Sequence, residues 1–196
     1  MVMSHDFLAT MAWDVALSGV LLAVGAIRLH YHSSTAPIDE TDKKLQMGFA
    51  AAIGACGFYL FISGADISFT WPFALSGGVY NVLFGGIATL GGLLLLTVSL
   101  SLFLKADLRF ASYFAAVVGL YSVVDAYAII HYALTESPLL AALGYLSFAA
   151  PAFLSVPAAH SENKVWRWLF VLFAVLFAVA WMYQAANFTL DHLVPS

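Results

Sequence analysis

Two aspartates lie inside long apolar stretches of the sequence, where a carboxylate needs a chemical reason to be present. Asp14 lies in a stretch from about 6 to 30, and Asp125 lies in one from about 108 to 134. A charge at the middle of a bilayer costs at least ~2.5–3.5 kcal/mol on insertion scales. Each aspartate is therefore either a hydrogen-bonding link between helices or part of a proton or ligand site, and the sequence leaves both interpretations open.

Helical spacing predicts that the two aspartates lie at a similar depth. Each would be ~12–14 Å from the same end of its helix, measured at the helical rise per residue. Tyr121 lies one turn from Asp125 on the same helical face. Asn81 begins another apolar stretch at that end. We therefore expect Asp14, Asn81, Asp125 and Tyr121 to line a single ligand or proton site, with Trp71 above it.

Histidines at the same end of the helices could add metal ligands to this site. His131 follows Asp125 by six residues, which turns the two side chains roughly 120° apart on an ideal helix. His5 and His192 lie near the two ends of the chain. Together with Asp14 and Asp125, these three histidines predict a copper or zinc site of oxygen and imidazole ligands. The alternative is that His131 lies at the membrane interface and that the terminal histidines are solvated.

The histidines argue against haem as a cofactor. A bis-histidine haem needs two histidines at matched depth on facing helices. His30, His32 and His160 cluster at the opposite edge, and no pair lies within the apolar stretches. Haem is therefore disfavoured.

The composition defines the elements that must position these residues. The chain is 63% hydrophobic and only 9% charged, whereas a soluble domain carries about 25% charged residues. The sequence therefore predicts an all-α polytopic membrane protein, a six-transmembrane-helix bundle forming one integral membrane domain over 1–196. The predicted helices are about 6–30, 44–65, 78–104, 108–134, 139–157 and 164–188.

The distribution of basic residues predicts the orientation of this bundle. The seven are Arg28, Lys43, Lys44, Lys105, Arg109, Lys164 and Arg167. All seven fall beside the links that follow the first, third and fifth predicted helices, and the positive-inside rule assigns those links to the cytoplasm. We therefore expect a multi-pass protein of the cell membrane with both termini extracytoplasmic. The net charge of −4 argues against a nucleic-acid partner.

The longest uncharged break between apolar stretches is Phe69–Gly86. Pro72 lacks a backbone donor and restricts Trp71 to extended geometry, so a regular helix is not expected there. Gly77 and Gly78 favour a tight turn, and Asn81 could cap the helix that follows. The sequence predicts an ordered outer loop between the second and third helices.

This break also carries a resemblance to a known family. Thr70-Trp71-Pro72, followed by Tyr80-Asn81-Val82-Leu83-Phe84-Gly85, resembles the TWP…YNxxFG signature of a family of uncharacterised membrane proteins, domain of unknown function family 981. His131, Thr135 and Pro138 are similar to a second segment of it. The resemblance implies a membrane protein and does not imply any particular reaction.

Three functions remain open from the sequence. The favoured one is binding of a metal ion or small polar ligand at an outward-facing carboxylate, histidine and asparagine site between helices 1, 3, 4 and 6. A non-catalytic helical subunit of a larger membrane complex is the first alternative, and a proton-coupled transporter is the second. Whether the protein is an enzyme is left open. The expected partners are the lipid bilayer and a membrane protein or further copies of this chain.

Overall fold

The computed structural model describes the backbone of residues 5–29, 40–73 and 78–193, with side chains for 8–29, 40–73 and 78–190. In these ranges the chain is all-helical. The helices are α1 His5–Arg28, α2 Glu40–Thr70, α3 Ile87–Leu104, α4 Arg109–Tyr132, α5 Pro138–His160 and α6 Lys164–Leu193, with a π-helix, Asn81–Gly86, directly before α3. Six helices of this described part, with the π-helix and α3 counted as one, are long and apolar enough to cross a membrane.

The six helices form a ring in chain order. Each helix packs on the next, and α6 returns to pack on α1. The most extensive contacts pair α2 with α3, α4 with α5, and α1 with α6. Short links such as 105–108 and 133–137 leave consecutive helices antiparallel. All seven basic residues are consequently at one end of the ring.

Helix α2 extends beyond the predicted 44–65 at both ends. Its first turn carries Glu40 and Asp42, which favour the positive end of the helix dipole, and Glu40 pairs with Lys43 at 2.9 Å. Charged residues lower the mean hydropathy of such a turn, so a prediction based on hydropathy places the start of the helix too late. At the other end the helix continues to Thr70. The extended geometry expected for Trp71 before Pro72 is wrong, because Trp71 adopts a left-handed backbone with φ 53° that ends the helix.

Glycines let α2 and α3 approach to backbone contact. A Cβ atom on Gly57 would lie 2.9 Å from the carbonyl oxygen of Gly92, and one on Gly92 would lie 2.7 Å from the carbonyl oxygen of Gly57. Real Cβ atoms do not come that close to backbone atoms. Ser99 adds a buried hydrogen bond from its hydroxyl to the Ala50 carbonyl at 2.7 Å. The pairing of α2 and α3 therefore depends on the absence of side chains at these positions.

The connection between α2 and the π-helix folds back on itself. The indole of Trp71 lies against Gly78, whose own φ is 80°. The backbone N–H of Phe73 donates to Asn81 Oδ1 at 3.1 Å, and the rings of Phe73 and Tyr80 meet edge to face at 6.4 Å. The predicted outer loop is thus ordered where it is described, and residues 74–77 of it lie outside the described part.

Candidate functional site

The π-helix Asn81–Gly86 is the irregular element around which polar side chains gather. π-helical turns are rare and occur frequently at functional sites. The hydroxyl of Tyr145 on α5 donates to the Leu83 carbonyl at 2.8 Å. The hydroxyl of Tyr121 on α4 lies against Gly86, in the space a Cβ there would need. The π-helix is therefore in contact with polar groups of both α4 and α5.

Asp125 lies on α4 beside these two tyrosines. Its side chain is only 6% exposed. Tyr121 and Tyr145 are both near enough to interact electrostatically with its carboxyl group. Ser122, on the same helix, donates to the Tyr145 carbonyl at 2.8 Å and so fixes α5 against α4. The Oδ2 atom of Asp125 is buried and has no hydrogen-bond partner.

Asn81 is the second buried polar side chain of this region. It is 1% exposed, and its Oδ1 atom accepts the hydrogen bond from Phe73. Its Nδ2 atom has no partner. Asn81 does not cap a helix; it ties the preceding loop to the π-helix. We use the term Asp125 site for Asn81, Tyr121, Asp125 and Tyr145 together with the π-helix.

Asp14 lies in a different seam, between α1 and α2. It is partly buried beside the thiol of Cys56 on α2. Its Oδ2 atom is also without a hydrogen-bond partner. A cleft that opens to the outside of the bundle exposes Asp14 next to Tyr59, whose hydroxyl is 2.6 Å from Thr10 Oγ1. The buried thiol of Cys56 is thus the near neighbour of a carboxyl group.

The structure does not bring Asp14 and Asp125 into one cavity. Helix α1 packs on α2 and α6, whereas α4 packs on α3 and α5. A cavity at the centre of the ring is lined by neither aspartate and not by Asn81. The expected site between helices 1, 3, 4 and 6 is therefore divided into the Asp125 site and the α1–α2 cleft. Trp71 lies on Gly78 and is 47% exposed.

His131 points to a different environment from Asp125. It is exposed and stacks on Tyr127 with ring centroids 5.3 Å apart, and it meets Tyr132 edge to face at 4.6 Å. The turn of roughly 120° between His131 and Asp125 places one outside the bundle and the other inside. Tyrosine and histidine side chains on such an outer face are typical of a membrane interface.

Among the described residues, no three histidine, cysteine, aspartate or glutamate side chains are close enough to hold a metal ion. The side chains of His5 and His192 lie outside the described part, so their proposed role as ligands stays a prediction. His30 and His32 lie outside it as well. His160 is exposed and packs on Tyr113 with ring centroids 5.0 Å apart.

Tyr145 is the residue of this site that sequence patterns miss. It lies in the apolar helix α5, whereas Asp125 lies on α4, so no helical repeat relates the two positions. A tyrosine in such a helix needs a hydrogen-bond partner for its hydroxyl if it is buried, so its presence there indicates a polar contact with another segment. The signal does not identify the partner, because the Leu83 carbonyl is 62 residues away in the chain.

Comparison with known proteins adds a family but no activity. No curated protein and no solved structure matches the chain. The model of one family, described as "Protein of unknown function (DUF981)", matches residues 1–194. This is the family that the TWP and YNVLFG segments resemble, and the match extends over nearly the whole sequence. The chain therefore belongs to the DUF981 family of proteins of unknown function.

Proposed function

We propose that this chain is an integral membrane protein that binds either a small hydrogen-bond-donating ligand or a proton at the Asp125 site. The observation that carries the proposal is the carboxyl group of Asp125, which is 6% exposed and has an unpartnered Oδ2 atom. The ion pairs of the described residues, Lys43–Glu40 and Arg109–Asp107, do not involve it. A buried carboxylate without a partner is costly, so a donor from outside the polypeptide is expected to complete it.

The other groups of the site define what the ligand can be. Asn81 offers an unpartnered amide donor, and Tyr121 brings a hydroxyl to the edge of the π-helix at Gly86. A ligand with both a donor and an acceptor, such as a hydroxyl compound or an ammonium group with a neighbouring oxygen, would match these groups. No lysine or arginine is part of the site, which disfavours an anion.

The Asp125→Asn variant tests this proposal, because it keeps the shape of the side chain and replaces one oxygen by an amide donor. We expect native mass spectrometry of the wild-type protein in nanodiscs to show a bound small molecule that Asp125→Asn loses. The matched control is Asp14→Asn, which changes the other intramembrane aspartate and should keep the ligand. If the ligand is a proton, infrared spectroscopy should instead show a carboxylic acid carbonyl band that only Asp125→Asn removes.

Copper and zinc analysis of the same samples identifies a metal if one is the occupant. A wild-type protein with no bound molecule, no metal and no carboxylic acid band that depends on Asp125 would contradict ligand binding at this site. Co-purification with defined membrane proteins under those conditions would instead favour the complex-subunit function.

We also propose that the basic end of the bundle is cytoplasmic and that both termini are extracytoplasmic in the cell membrane. The support is the position of all seven basic residues at one end of the helices. In a Cys56→Ala background, the exposed variant Glu136→Cys should react with a membrane-impermeant maleimide added to intact cells. The exposed variant Glu162→Cys should react only after lysis. The reverse pattern would overturn the orientation.

A further inference from the structure

The ring of helices surrounds a central, partly open cavity of about 90 Å³. Every helix contributes to its wall. The wall includes at least one side chain from each helix; examples, in the order α1 to α6, are Met11, Leu60, Leu95, Ser122, Phe148 and Phe177. The cavity is separate from the Asp125 carboxyl group and from the α1–α2 cleft, whose walls are formed by other residues.

The polar groups in the wall of this cavity are already engaged with the protein. The hydroxyl of Ser18 donates to the Val15 carbonyl at 2.7 Å, and that of Ser122 to the Tyr145 carbonyl at 2.8 Å. The Tyr145 hydroxyl donates to Leu83, and the indole N–H of Trp181 donates to the Gly144 carbonyl at 3.1 Å. The remaining wall residues are apolar or glycine. A water molecule needs two to four polar partners. The four donors of this wall are all engaged elsewhere, so the cavity favours an apolar occupant over water.

The size of the cavity suits an apolar group. A dry cavity of ~150 Å³ lined by leucine, isoleucine and phenylalanine binds benzene or xenon. The central cavity is smaller but extends beside Gly91, where an added Cβ would meet no atom within 4 Å. An unfilled apolar cavity forfeits dispersion contacts along its whole wall, so an occupant of matching chemistry is favoured.

We propose that the central cavity is a binding site for a hydrocarbon group, namely the end of an aliphatic chain such as that of a lipid or an isoprenoid. Gly91 keeps the space open, because any larger side chain there would extend into it. The cavity shares Tyr145 and Phe84 with the Asp125 site, but its wall does not include the Asp125 carboxyl group, so this inference does not rest on ligand binding there.

Photolabelling tests the proposal with an aliphatic diazirine probe added to the protein in nanodiscs. The probe should label Met11, Leu95 and Phe177 in the wild-type protein; these are buried residues, 5%, 5% and 2% exposed, that lipid on the outside does not touch. Leu100, which is 58% exposed, serves as the positive control for labelling from the bilayer. Gly91→Leu should reduce labelling of the three buried residues to the level without irradiation and leave Leu100 unchanged.

The matched control is Gly48→Leu. Gly48 is also a helical glycine whose Cβ would meet no atom within 4 Å, but it lies on the exposed face of α2. This variant should label as the wild type does. Absence of label on the buried residues of the wild type, or unchanged label in folded Gly91→Leu, overturns the proposal. If Gly91→Leu does not fold, Gly91→Ala replaces it; a partial loss of the inner label is then expected, and an unchanged label overturns the proposal.

Discussion

Gly92→Ala is expected to lower the free energy of unfolding by more than about 3 kcal/mol, at the upper end of overpacking effects. The added methyl group would overlap the backbone N–H of Phe61 and the Gly57 carbonyl on α2. Neither atom belongs to a flexible side chain, so α2 and α3 must separate along their whole contact. Equilibrium unfolding by sodium dodecyl sulfate in mixed micelles, followed by circular dichroism, measures the change.

Gly91→Ala is the matched control, because it makes the same substitution one residue earlier in the same helix. Its Cβ would meet no atom within 4 Å. Alanine is about 0.5–1 kcal/mol more favourable than glycine inside a helix, so this variant should be slightly more stable than the wild type. Equal stabilities of the two variants would show that α2 and α3 do not pack through glycine contacts.

Tyr145→Phe is expected to destabilise the protein by about 1–3 kcal/mol, the usual effect of losing a buried hydrogen bond. The hydroxyl that it removes is buried and donates to the π-helix at Leu83. The same hydroxyl is near Asp125, so the variant should also weaken any ligand bound at the Asp125 site. Unfolding in mixed micelles and native mass spectrometry measure the two effects on one preparation.

Tyr113→Phe provides the comparison for this substitution. Tyr113 is 52% exposed on α4, so removing its hydroxyl should leave both stability and ligand binding close to those of the wild type. If Tyr145→Phe behaved in the same way as Tyr113→Phe, the hydrogen bond from α5 would not stabilise the π-helix.

The sequence predicts the helical architecture because its dominant signal is local. Charged residues make up 9% of the chain and cluster between long apolar stretches, and the six predicted membrane-crossing helices are confirmed as helices of sufficient length and apolarity. The angle between Asp125 and His131 also follows from the helical repeat alone, and it agrees with one side chain being buried and the other exposed.

The partners of these side chains do not follow from local signals. Membrane helices are similarly apolar on all sides, so hydropathy does not reveal that α1 pairs with α6 or that Asp14 and Asp125 face different neighbours. The π-helix at Asn81 is also not encoded locally. Its hydrogen-bond partners are the Tyr145 hydroxyl, 62 residues beyond Leu83, and the Phe73 N–H, which donates to the Asn81 side chain.

The pairing of α1 with α6 determines when the bundle can close during synthesis. A ribosome releases α1 first and α6 last, and at about 5–20 residues per second the delay between them is on the order of ten seconds. Helices α2 and α3, and then α4 and α5, can pair as they emerge because each pair is consecutive. The face of α1 that carries Gly19, against which Phe177 and Ala178 pack, has no α6 partner until that helix has been synthesised. Closure of the ring therefore has to wait for the synthesis of α6, and α1 is the helix that a chaperone or insertase would have to shield until then.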